Sequence, residues 1–125
     1  MTFSLHSFAI FVTDLERARA FYEDALELPI ARAGSFGYEM LDAPPHLGIH
    51  PATHPDAMAM VGRHTGITFR VDDLLALCSR LGEQGVRFVA EPTQQGFGIM
   101  AMVADPDGNV MALWQDNMSN PEAAA

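Results

Sequence analysis

Two stretches of the chain carry the same order of apolar and polar positions. In the first, Phe8, Ile10 and Val12 alternate with Ser7, Ala9 and Phe11, and the alternation breaks at Thr13-Asp14-Leu15-Glu16. In the second, Ile67, Phe69 and Val71 alternate with Gly66, Thr68 and Arg70, and the break comes at Asp72-Asp73-Leu74. Period-two alternation predicts a strand, and the acidic or hydroxyl residues after it predict a helix N-terminus. Thr13 and Glu16 have the spacing of a capping box; Asp72 or Asp73 is the expected cap of the second helix. Helical spacing follows each break. It runs through Leu15, Ala18, Phe21, Tyr22, Ala25 and Leu26 as far as Pro29, then through Leu74, Leu75, Leu77, Cys78 and Leu81 as far as Gly85, a left-handed C-cap.

After each helix the pattern predicts three strands. In the first half they fall at about 29–33, 35–42 and 47–50, broken by Gly34 and by Asp42-Ala43-Pro44-Pro45. In the second half they fall at 86–91, about 98–104 and Val110 to Gln115, with Asp105-Pro106-Asp107-Gly108-Asn109 as turn chemistry before the last. The chain therefore reads as one α+β domain over 1–125 made of two copies of a strand-helix-strand-strand-strand module. Module one spans about 5–50, a linker without clean period spans 51–64, module two spans about 65–116, and the tail 117–125 reads as frayed. One helix covers one face of each sheet, so each module keeps an open face. Two open faces brought together would enclose a cleft.

Composition narrows the function. The net charge is −9, which argues against nucleic acid and anionic membrane surfaces as partners. All seven basic residues are Arg, so Schiff-base chemistry and a P-loop are both excluded. Cys78, the single cysteine, sits in an apolar helical pattern and reads as a buried structural thiol, fitting a reducing compartment. No apolar run approaches a membrane span and the start lacks a signal-peptide n-region, so the expected location is cytoplasmic.

Strand parity selects the candidate residues. With the helix-facing set assigned, Ser7, Ala9 and Phe11, then Gly66, Thr68 and Arg70, then Val110, Ala112 and Trp114 point into the cleft. Arg70 suits either an anion clamp or a salt bridge to Glu39 or another strand carboxylate. Phe11 and Trp114 offer stacking area or core packing. Glu39 interrupts an apolar strand, where a carboxylate serves as a general base if its pKa is raised and is otherwise a solvated residue. His46, His50 and His54 have i, i+4, i+8 spacing, but Gly48, Pro51 and Pro55 rule out one helical face. They are turn or surface histidines, or part of a metal site built by sheet and linker. His6 and His64 read as rim residues.

Val12-Thr13-Asp14-Leu15 with Ala20-Phe21-Tyr22, Phe69-Arg70-Val71-Asp72-Asp73-Leu74, Gly85-Val86 and Asp105-Pro106-Asp107-Gly108-Asn109 stand in a fixed order over roughly residues 5–115. In this the chain resembles the vicinal oxygen chelate superfamily, which includes glyoxalase I, bleomycin-resistance proteins and extradiol dioxygenases. The resemblance implies paired βαβββ modules, a U-shaped cleft, a homodimer and a small-molecule ligand. It also implies metal-ligand positions on the first and last strand of each module. Here those positions hold Ser7, Gly66, Ala112 and Gly48, with His50 nearby on the same strand face. Ser, Gly and Ala cannot stand in for His and Glu on a divalent ion. The expectation is a metal-free binding protein with no cofactor, its small, partly aromatic or apolar ligand lined by Ser7, Phe11, His50, Thr68, Arg70 and Trp114. The alternative is a lyase- or dioxygenase-like enzyme with a noncanonical His site, or with His50 or Glu39 as base.

Overall fold

The computed structural model describes residues 1–117, so the expectation for the tail beyond Asn117 lies outside the described residues. The chain divides into two compact units, Met1–Arg63 and the stretch from His64 on. Each holds a four-stranded mixed sheet, and together they form two tandem modules of an α+β fold.

In the first unit the strands are β1 (Ser7–Val12), β2 (Ile30–Gly34), β3 (Gly37–Met40) and β4 (His46–Pro51), in the order β1-β4-β3-β2. β1 runs parallel to β4, with Ser7 opposite His46 and Phe11 opposite His50; the other pairs are antiparallel. Helix α1 (Leu15–Arg19) continues without a break as a π-helical segment, Ala20–Ala25. Its cap is Asp14 and not Thr13: Asp14 Oδ1 accepts from the amides of Glu16 and Arg17 at 2.9 and 3.1 Å. Both residue types cap well, and the carboxylate adds a charge that suits the positive end of the helix. The helix ends before Pro29, with Glu27 at φ 59°. Its buried residues Ala18, Phe21, Tyr22 and Ala25 lie with Ile10, Val12, Met40, Leu47 and Ile49 in the core of this unit. Each large side chain fully buried there contributes about 1.5–3 kcal/mol over leaving it in water. The stretch expected as a linker holds the end of β4 and one short helix, α2 (Pro55–Met58).

The second unit repeats the design with β5 (His64–Arg70), β6 (Arg87–Gln95), β7 (Gly98–Ala104) and β8 (Val110–Asp116), in the order β5-β8-β7-β6. Asp73 caps α3 (Leu74–Glu83) by accepting from the Ala76 amide at 3.1 Å, and Gly85 follows the helix at φ 81°. Leu74, Cys78 and Leu81 of α3 are buried, as are Ile67, Ala101, Val103, Met111 and Leu113. Burial pushes the Cys78 thiol pKa up, and the charge of Glu91 adds to this. β6 is longer than its apolar pattern suggested, extending through Glu91-Pro92-Thr93 to Gln95 with two register shifts against β7. The turn before β8 is held by Asp105. Its Oδ1 accepts from the amides of Asp107 and Asn109, and its Oδ2 from Asn109 Nδ2, each at 2.9 Å. These bonds offset the cost of burying a carboxylate.

Candidate functional site

The helix-facing rows of the first sheet are apolar. On the other face, β1 presents Ser7, Ala9 and Phe11, β4 presents His46, Gly48 and His50, β3 presents Glu39, and β2 presents Arg32. The register places Ala9, Gly48, Glu39 and Arg32 in one row across all four strands. In this row the middle strand β4 has a glycine and the edge strand β1 an alanine where bulk would fill the space. The result is a hollow of about 360 Å³ lined by His6, Ser7, Arg32, Phe36, Glu39, Gly48 and His50.

Arg32, Glu39, His46 and His50 at the hollow are each held by a partner. Arg32 Nη2 bonds Glu39 Oε2 at 2.9 Å, with Arg32 70% and Glu39 17% exposed. The Arg32 hydrogen bond is the main reason that the Glu39 pKa lies below its ordinary value; desolvation opposes it, and the charges of Arg32, His46 and His6 add to it. The raised pKa that a general base at Glu39 would need is therefore not provided. His46 Nδ1 lies 2.8 Å from the Leu41 carbonyl oxygen, and His50 Nδ1 lies 2.9 Å from that of Phe36. A carbonyl only accepts, so in each ring Nδ1 carries the hydrogen. In the neutral imidazole Nε2 is then an acceptor. His46 Nε2 faces Glu39 Oε1 at 3.8 Å. His50 Nε2 overhangs Gly48, where a Cβ would come within 2.5 Å of it. The glycine makes room for the ring. Phe11 lies against His50 with centroids 5.9 Å apart, and His6 sits edge-on to His46 at 5.5 Å.

Of the residues expected to line a ligand site, Ser7, His50 and Phe11 gather here in the first unit. Thr68, Arg70 and Trp114 gather on the corresponding face of the second sheet, where Arg70 stands opposite Trp114 and Thr68 opposite Ala112. Arg70 pairs with Asp116 at 2.8 Å, while Glu39 has Arg32 as its partner. Asp116 also accepts from Trp114 Nε1 at 2.9 Å, and the indole lies over Gly98. Met100 and Met102 of β7 flank this face, opposite Trp114 and Ala112. His54 precedes α2, and His64 Nδ1 accepts from the Gly66 amide at 3.0 Å.

Arg32 and Phe36 were not singled out by the sequence. The signal was available: Gly34 and Gly37 bracket a tight turn, and counting outward from it sets Arg32 opposite Glu39.

The Glyoxalase/Bleomycin resistance protein/Dioxygenase superfamily model matches residues 4–113. The chain belongs to this superfamily. A curated relative is the uncharacterised protein YetH of Bacillus subtilis (strain 168), 27% identical over 110 residues, spanning 84% of this chain and 92% of YetH. Among solved structures, TnmS3, an antibiotic binding protein from Streptomyces sp. CB03234, is 29% identical with a TM-score of 0.70, covering 93% of this chain and 98% of TnmS3. A superfamily member from Sphaerobacter thermophilus DSM 20745 has a TM-score of 0.79 at 23% identity, covering 92% of this chain and 98% of its own, and shows the shared fold.

The metal that superfamily members of the enzymatic type use can be tested against the donors present. Ser7, Gly48, Gly66 and Ala112 occupy the implied ligand positions. Gly66 has φ 77° and open space where a side chain would project, and Ala112 is buried. Among the described residues no three His, Cys, Asp or Glu side chains converge as a metal ion requires. The donor set does not fit a divalent ion.

Proposed function

We propose that this protein is a metal-free, small-molecule-binding member of the superfamily, and that the hollow on the open face of the first sheet seats its ligand. The observation that carries this reading is the hollow itself. It is a space of about 360 Å³ over Gly48, with aromatic Phe36 in its lining and Phe11 against His50, and with Arg32, Glu39 and His50 each held in place by a neighbour. A site with apolar walls and a few oriented polar groups suits a partly aromatic or apolar organic molecule. The similarity to an antibiotic binding protein supports the same class of role. In this reading Thr68, Arg70 and Trp114 form a separate candidate binding face on the second sheet, and the protein works as a cytoplasmic homodimer, an assembly state that sedimentation analysis tests.

A thermal-shift screen of aromatic and polycyclic compounds tests the proposal. Stabilisation by a subset of compounds, abolished in Gly48→Leu, is the expected result; responses unchanged in Gly48→Leu would remove the hollow from the site. One feature favours a second reading as an enzyme: His50 presents an acceptor nitrogen to the hollow, as a general base must. Recovery of bound compounds chemically altered, with the change lost in His50→Phe, would establish it.

A further inference from the structure

We propose that the hollow of the first sheet selects a neutral aromatic ligand whose polar edge donates hydrogen bonds, such as a phenol or a carboxamide. This rests on the reading of the hollow as the binding site. Three features of the rim lead to it.

The first is the orientation of the imidazoles. Backbone carbonyls of Leu41 and Phe36 take the Nδ1 hydrogens of His46 and His50, at 2.8 and 2.9 Å. The neutral His50 ring, which lines the hollow, then turns a lone pair and not an N–H group over Gly48, and the neutral His46 ring turns its lone pair toward Glu39 at the rim. The second is the gap between His46 Nε2 and Glu39 Oε1, which is 3.8 Å. With a neutral ring both atoms accept, and 3.8 Å is too long for a direct hydrogen bond. A group that donates to both, or to either, completes the arrangement. The third is charge. Arg32 compensates Glu39 at 2.9 Å, so a cation drawn to Glu39 meets Arg32 and an anion drawn to Arg32 meets Glu39. Desolvating an ion against a compensated pair returns little attraction for its lost hydration. A neutral donor avoids that cost.

The remaining surface is consistent with a flat ring. Gly48 leaves the floor bare beside Ala9 in the register, with Phe36 in the lining. The Ser7 hydroxyl can give or accept and does not oppose the choice.

Isothermal titration of the full chain with four probes of one ring system provides the test: 2-naphthol, 2-methoxynaphthalene, 2-naphthoate and 2-naphthylmethylamine. The expected order places 2-naphthol first, about tenfold tighter than its methyl ether, which is the size of one well-made hydrogen bond. In His50→Phe, and separately in Glu39→Gln, the naphthol advantage shrinks to about threefold or less while the ether binds as before. Equal binding of naphthol and ether overturns the inference and leaves the hollow as the site. So does tightest binding of the naphthoate or the amine, or binding by none of the four at millimolar concentration. Binding of all four unchanged in Gly48→Leu overturns the hollow itself.

Discussion

In the first sheet the face turned away from the helix carries His46, His50, Glu39 and Arg32 around a bare floor; in the second the equivalent face carries Trp114, Met100, Met102 and Thr68, with Arg70 locked to Asp116. Strand order, parallel closure and helix placement are the same in both. The helix-facing rows are alike as well, because both must bury an apolar stripe. The open rows differ in their chemistry. The fold thus constrains one side of each strand and leaves the alternate positions free to acquire chemistry. One unit spends that freedom on hydrogen bonding, the other on apolar and aromatic surface.

Glycine substitutions break this comparison most sharply. Gly37→Ala is expected to be the most damaging. It would drive a Cβ into the backbone carbonyl of Ile49 at a residue with φ 112°. A loss of about 3 kcal/mol or more in urea denaturation is expected. Gly98→Ala meets the Gln115 carbonyl and the Trp114 indole and should approach that loss. Trp114→Phe removes the indole N–H from Asp116 but keeps an aromatic ring, and should cost about 1 kcal/mol in the same assay. Gly48→Ala meets a side chain and no backbone, the His50 ring, whose Nε2 lies 2.5 Å from the new Cβ. Its stability should change by less than about 1 kcal/mol while ligand responses fall away. A loss as large as that of Gly37→Ala would mean that the open face of the first sheet is as rigidly specified as its core.

The smallest effect concerns charge. Glu39 has a lowered pKa in the folded state, so its pairing stabilises the fold above the ordinary carboxylate range. That contribution is lost as pH falls through the lowered folded value. In Arg32→Ala the Glu39 pKa should rise toward its ordinary value, followed by carboxyl carbon chemical shifts across an acid titration. A Glu39 pKa unmoved by the substitution would show that His46 and His6, and not Arg32, set it.

The modules were legible because their signals are local: period-two alternation, a cap, helical spacing, a turn. Parity alone put Ser7, Phe11, Thr68, Arg70 and Trp114 on open faces. Partner choice was not legible in the same way. Arg70 had several strand carboxylates within reach of the argument, and only the register of β5 on β8 brings Asp116 to it. The His46 and His50 tautomers depend on carbonyls of Leu41 and Phe36, which lie in turns whose path no periodicity describes. The π-helical continuation of α1 likewise leaves the apolar spacing close to that of an ordinary helix, so its one-residue widening is invisible to pattern.

The parallel pairing of β1 with β4 has a consequence for how the protein comes to exist. The first strand made is hydrogen-bonded only by the last strand of its unit, so Ser7 waits for His46 and Thr68 for Ala112. Each sheet is closed by contacts about forty residues apart in sequence, which slows assembly relative to a chain of hairpins. On the ribosome the β2–β3 hairpin can form early, but β1 has no edge to join until β4 has emerged. The N-terminal unit is therefore expected to gain protease resistance in one step, when nascent chains grow past Pro51, with no stable half-sheet before it.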